Sequence, residues 1–203
     1  MPHRAAIDTG EPIEVARGTS QSVIHRFLLE IDPAFAREQY LRFRDQFVRS
    51  PLGLGPAVRE YPSGMDGPAD VDSGPLPLGI SLSATVVTLG AAQVQGDAAL
   101  AEALANYGEL VGVPLATPWT KRYAFGVMPI GDAFLAWAKT ARPWGTPVPP
   151  APPPSVAWWW RAPFLAVLTL LALLPWTRAV RRRCRDRPAA ARDAAKLSLT
   201  PPS

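Results

Sequence analysis

Six of the eight residues in PVPPAPPP, 147–154, are proline, and no other stretch restricts the folding of the chain as much. Proline fixes φ and carries no amide hydrogen, so neither a helix nor an inner strand can run through it. The stretch divides the 203 residues into a body before it and an apolar segment after it. Its composition predicts an extended, semi-rigid polyproline spacer, with a peptide-ligand role as the alternative, and the linker is set at 145–155.

The segment that follows, VAWWWRAPFLAVLTLLALLPWTRAV at 156–180, predicts a single transmembrane helix. Its uninterrupted apolar core, 162–177, has 16 residues, slightly fewer than the roughly 20 that span a ~30 Å hydrocarbon layer. Trp158, Trp159, Trp160 and Trp176 match an interfacial aromatic belt, and Arg161 and Arg178 can snorkel to headgroups. Arg181, Arg182, Arg183, Arg185 and Arg187 crowd the far end. By the positive-inside rule the tail, 181–203, is cytoplasmic, basic and disordered, and the body lies outside the cell membrane, with the lipid bilayer as partner. The first residues, MPHRAAIDTGEPIEV, hold no apolar signal region, and 1–17 is expected to be disordered. Export by sequence upstream of this chain and a reversed anchor both stay open. Cys184 beside the membrane is read as an unmodified thiol, with acylation as the alternative.

Charge narrows the function classes. Residues 178–203 carry eight of the 21 Arg and Lys against two acids, so the rest of the chain is mildly acidic, at −2. A body without a basic surplus is not built to bind nucleic acid. One cysteine excludes an internal disulfide and a cysteine-built zinc site. His3, in a frayed terminus, and His25, on a helix surface, have no ligand spacing, so no metal or other cofactor is expected.

Within the body, 18–144, the periodicity is helical. Val23, Ile24, Phe27, Leu28 and Ile31 form one face of a first helix. Asp32-Pro33 starts a second, with Ala36, Tyr40, Phe43 and Phe47 inward. A third, 81–95, is rich in small residues, and Asp97 caps a fourth with Leu100, Leu104, Tyr107 and Val111 as its stripe. WTKRYAFGVM, 119–128, reads as a hairpin arm, and Asp132 caps a short last helix.

Three segments carry a resemblance: Arg59-Glu60-Tyr61-Pro62, then Asp70-Val71-Asp72-Ser73-Gly74-Pro75, then Tyr123 to Gly131-Asp132-Ala133-Phe134. In this order, between helices, they resemble part of an α/α-toroid enzyme, the architecture of many glycosidases, sugar epimerases and linalool dehydratase-like proteins. The resemblance implies an all-α fold, with the paired helices of an incomplete α/α toroid in the body and one C-terminal transmembrane helix after it. The helices are too few for a closed ring, which implies a C-terminal half or a truncated relative, and a partner chain to complete the toroid. No catalytic residue is carried over from the family.

The chemistry is sought in REYPSGMDGPADVDSGP, 59–75. In an extended backbone Asp70 and Asp72 point to the same side, and two adjacent carboxylates supply an acid and a base at neutral pH. They are the predicted catalytic pair, with Glu60 third, across a carbohydrate-like ligand. Tyr61, Trp119 and Tyr123 would stack on that ligand, and Arg59 or Lys121 would supply counter-charge. The competing reading is structural: Asp72-Ser73 caps the third helix, and Arg59 pairs with Asp70 or Asp72. A calcium loop lacks its third spaced ligand and terminal glutamate. Ser20 and Ser22 precede a helix as caps, with no histidine placed to activate them. Two functions stay open. One is a membrane-anchored protein that binds a carbohydrate-like ligand, with hydrolysis or isomerisation undecided; the other is a non-catalytic, membrane-tethered interaction or scaffold module.

Overall fold

The computed structural model describes residues 1–177, in two compact units, Met1–Trp160 and a second that begins at Arg161. The basic tail, Cys184 and residues 178–180 of the expected membrane segment lie outside the described residues.

The first unit holds α1 (Gly18–Phe27), α2 (Pro33–Phe47), α3 (Leu82–Val94), α4 (Ala98–Val111) and α5 (Pro129–Lys139). Three antiparallel ladders join β1 (Arg4–Ala5) to β2 (Pro12–Glu14), β3 (Val48–Arg49) to β4 (Ala57–Val58), and β5 (Leu115–Ala116) to β6 (Lys121–Arg122). About half of the described chain is helical, so the all-α expectation is corrected to a mixed fold with short strands. The terminus expected to be disordered carries the β1–β2 hairpin, and His3 is tied into it through its amide on Glu14 O.

The helices do not follow one another in pairs around a ring. α3 sits at the centre and packs against α1, α4 and α5. All three hydrophobic clusters draw on it: Leu89 and Ala92 meet Leu100, Leu104 and Leu135; Ala84 and Ala91 meet Tyr40, Phe43 and Phe47; Val94 meets Leu29 and Ala36. A helix with small side chains and no polar face has no side to show to water, and it goes to the middle. That central position corrects the incomplete toroid of paired helices.

Asp32 and Asp97 cap α2 and α4 as their positions predict, accepting from Phe35 N (3.0 Å) and Leu100 N (3.2 Å). Asp132 does not cap α5, which starts at Pro129; its carboxylate takes Tyr123 N instead (2.8 Å). In α1 the inward face differs from the expected one. Gln21, Ser22 and His25 are buried, Ile24 and Phe27 are half-buried, Val23 is exposed, and Ile31, beyond the end of the helix, is exposed too. Ser22 donates to Gly18 O (2.7 Å) and lies 2.7 Å from Thr88 Oγ1, so its role is a polar contact with α3 rather than a cap.

His25 is therefore core, at 1% exposure, edge-on to Tyr40 and tilted against Phe43, and among the described residues no group hydrogen-bonds either ring nitrogen. Burial first, then the Met1 ammonium, pushes the imidazole down to about 4 from 6.5. The folded state therefore binds fewer protons than the unfolded one between these values. This contribution to stability is complete above pH 6.5 and is lost as pH falls toward 4, by about 3 kcal/mol. Urea unfolding of wild type and His25→Phe across pH 7 to 4 tests it. The wild type should lose that much more than the variant, and parallel curves would contradict the assignment.

The described part of the second unit is α6, 162–177. Among the described residues no helix is long and apolar enough to cross a membrane. Trp158–Arg161 form turns instead of extending the helix, and Pro163 lies in its first turn. The 16 described residues of α6 span ~24 Å. The transmembrane helix expected at 156–180, and the single-pass assignment that rests on it, is corrected accordingly.

Candidate functional site

The acidic loop begins where the chain leaves β4 and passes the start of α1. Gly18 N donates to Glu60 O (2.7 Å), and Glu60 N donates to Gly79 O (3.1 Å). The approach is so close that a Cβ at Gly18 would stand 2.1 Å from Arg59 O. Only glycine lets the helix begin against this backbone.

Glu60 is thereby fixed at the N-terminal end of α1, at 1% exposure. Its Oε2 accepts from Thr19 Oγ1 (2.7 Å) and Thr19 N (3.4 Å). The N-cap position is Arg17, whose side chain makes no capping bond, so a carboxylate from another segment takes that place. Arg17 turns back instead. Its Nε donates to Glu60 Oε1 (3.1 Å), its Nη1 pairs with Asp70 Oδ2 (2.5 Å), and its guanidinium lies 5.3 Å from the Tyr61 ring centre. Around this bridge, the hydroxyls of Thr19, Ser81 and Ser83 stand 3.0–3.3 Å apart.

Asp70 and Asp72 are not on one side of an extended strand. Val71–Ser73 form a turn, closed by Gly74 N on Asp70 O (3.0 Å) and by Ser73 N on Asp70 Oδ1 (2.8 Å). The Asp70 side chain is spent on that turn and on Arg17. Asp72 is exposed, and its carbonyl accepts from Ser83 Oγ (2.6 Å). The bond from Ser73 N, assisted by Arg17, holds the Asp70 carboxyl below its ordinary range. It is a carboxylate at neutral pH and has no proton to donate as a general acid.

Arg59 pairs with Asp66 (2.7 Å), not with Asp70 or Asp72, and also donates to Met65 O and Tyr61 O. Tyr61 is buried and donates to Pro68 O (2.9 Å). The concavity beside the loop, about 360 Å3, is lined by Met1, Pro12, Ile13, Val15, Pro62 and Met65 among others; Glu60, Asp70 and Asp72 do not line it. Ser81, not Asp72 or Ser73, caps α3 through Ala84 N.

Two of the other predicted binding residues, Lys121 and Tyr123, gather elsewhere, around Glu109 of α4. Lys121 and Lys139 contact opposite oxygens of that carboxylate (2.5 and 2.6 Å), and Tyr123 OH donates to Oε1 (2.6 Å). Burial acts against ionisation here, but the bonds from Lys121, Lys139 and Tyr123 outweigh it and bring Glu109 down to about 2. Trp119 stands at the hairpin tip, 92% exposed. The two clusters share no residue. Arg17, Thr19, Glu109 and Lys139 were not predicted, and no local sequence pattern singles them out.

Among the described residues no group of three or more His, Cys, Asp or Glu is placed to hold a metal ion. No family model matches the chain, and no curated protein matches it either.

Proposed function

We propose that the first unit is a non-catalytic interaction module and that its acidic loop is scaffolding. The observation that carries this reading is the double use of Arg17, which takes up both Glu60 and Asp70. An acid–base pair needs one carboxyl held protonated near neutral pH, by burial or by a neighbouring carboxylate. Here each of those carboxylates faces a cation and hydrogen-bond donors, and the Asp70 carboxyl is held below its ordinary range. Asp72, the other member of the predicted pair, is an exposed turn residue.

A second reading, a carbohydrate-like ligand bound without catalysis, draws on the free-standing indole of Trp119 beside Lys121. A flat aromatic face suits stacking on a sugar ring.

One experiment addresses both. The full chain is incubated with a panel of neutral and acidic oligosaccharides, with reducing-end release and melting temperature as readouts. No release and no shift are expected. A shift lost in Trp119→Ala would support the second reading, and turnover lost in Asp70→Asn would overturn the first. In parallel, Asp72→Asn should stay within about 0.5 kcal/mol of wild type, whereas Asp70→Asn should lose about 1 kcal/mol through Arg17.

A further inference from the structure

The proline-rich stretch is not a free spacer. It belongs to the first unit and is held against it at three points. Glu30 accepts from Trp144 N (2.6 Å), Gly145 N (3.3 Å) and both the amide (3.2 Å) and hydroxyl (3.0 Å) of Thr146. Arg37 Nη2 donates to Pro150 O (2.5 Å), and Arg44 Nη1 donates to Pro153 O (2.8 Å). Between them Pro152 is buried.

The spacing of these contacts matches the geometry of an extended proline helix. Each proline has φ fixed, and Val148, Pro149, Ala151, Pro152 and Pro153 each precede a proline, which drives them to extended ψ. In polyproline II, residues three apart are one turn apart, ~9 Å along the axis, and show their carbonyls on one side. Arg37 and Arg44 are seven apart on α2, two turns on one face and ~10.5 Å apart. The periods agree, and strap and helix run in the same direction.

Both arginines are anchored without help from the strap. Arg37 Nη1 donates to Gln95 O (2.6 Å), and Arg44 Nη1 to Asp97 Oδ2 (3.0 Å), so the α3–α4 turn positions them. The floor of the groove is Gly96, with φ +71°, where a Cβ would stand 2.2 Å from Pro149 O. The donors read backbone carbonyls, and the glycine admits backbone at close range. These are features of peptide recognition rather than of side-chain core packing. The groove lies at the C-terminal end of α3, whereas the Arg17 cluster lies at its N-terminal end, so neither assignment depends on the other.

We infer that the groove formed by Arg37, Arg44 and Gly96 is a recognition site for an extended proline-rich peptide. Its ligand is the chain's own 147–154 segment, bound in cis. A tethered ligand has an effective concentration in the millimolar range, so the site is closed to free peptide as long as the strap is intact.

The test uses the full chain with Pro149→Gly, Pro150→Ser, Pro152→Gly and Pro153→Ser, which keeps the tether and removes the proline helix. A fluorescent peptide of residues 146–155 is titrated into both proteins and read by anisotropy. The strap variant should bind at least about tenfold tighter than wild type, and adding Arg37→Ala should weaken binding about tenfold, each equivalent to ~1.4 kcal/mol. Arg44 is left in place because it also neutralises Asp97. A Gly/Ser peptide of the same length should bind neither protein. A folded strap variant that does not bind the peptide, or binds it no better than wild type, overturns the inference.

If the strap variant does not fold, Gly96→Asn in the otherwise intact chain decides. Asparagine tolerates the left-handed turn, but its Cβ displaces Pro149. A proline-specific endopeptidase should then cut after Pro150 or Pro154 about tenfold faster than in wild type, the rate tracking the ~1.4 kcal/mol rise in the open form. Unchanged cutting overturns the inference. So does loss of folding in both variants, because a segment on which folding depends is core and not ligand.

Discussion

Replacing Asp97 by alanine should cost on the order of 5 kcal/mol, most of the stability an ordinary domain has. The carboxylate is 1% exposed and serves three groups at once. Oδ2 accepts from Tyr40 OH and Arg44 Nη1, each at 3.0 Å, and Oδ1 caps α4 through Leu100 N. Losing the cap alone costs about 1 kcal/mol. Leaving the Tyr40 hydroxyl without its acceptor adds about 1–3 kcal/mol. The largest part is Arg44, a buried cation left without its counter-charge, and breaking such a pair from one side costs about 3–5 kcal/mol. The three overlap, since Arg44 keeps Pro153 O, so they do not add in full. Asp97→Asn keeps one acceptor oxygen, which can serve the cap or Arg44 but not both, and should lose roughly half as much. Urea unfolding of both variants measures this. A loss under about 1 kcal/mol in Asp97→Ala would mean that Arg44 reaches water or another acceptor when Asp97 is gone.

What the sequence reveals here is what neighbours in sequence decide. Asp32 and Asp97 announce helix starts because a cap is made with an amide three residues on, and both caps form. The small side chains of α3 announce close packing, and the helix is central. The face of α1 was misread because its inward side is polar: Ser22 and Gln21 look like solvent residues until Thr88 and the N-terminal segment are placed against them. Asp70 and Asp72 were misread for a local reason. Alternation implies shared orientation only in a strand, and Ser73 offers Asp70 an amide that bends the chain into a turn instead. Arg17 could not be paired from sequence at all, because Glu60 lies 43 residues away and Asp70 further still. The same holds for the strap. Six prolines say that it is stiff, but only the fold sets Arg37 and Arg44 at the matching period.

Arg17→Ala is the substitution that most directly separates scaffold from site, and it should cost about 3–5 kcal/mol. Glu60 stays buried at the start of α1, and its remaining donors are the amide and hydroxyl of Thr19, which stabilise the charge but do not neutralise it. Asp70 keeps its turn with Ser73 and is partly exposed, so its own loss is small. The cost therefore sits on the Arg17–Glu60 edge. A double-mutant cycle isolates it: Glu60→Gln alone should also destabilise, by about 2–3 kcal/mol, because the amide presents one oxygen acceptor where the carboxylate has two. In the Arg17→Ala background the same change should be nearly neutral or favourable, since it removes the uncompensated buried charge. Chemical denaturation of the four proteins at pH 7 gives the coupling directly. A coupling of about 2 kcal/mol or more identifies the acidic loop as part of the framework that starts α1. Additive effects would mean that Glu60 is satisfied without Arg17, which would free the guanidinium and its two carboxylates for a ligand.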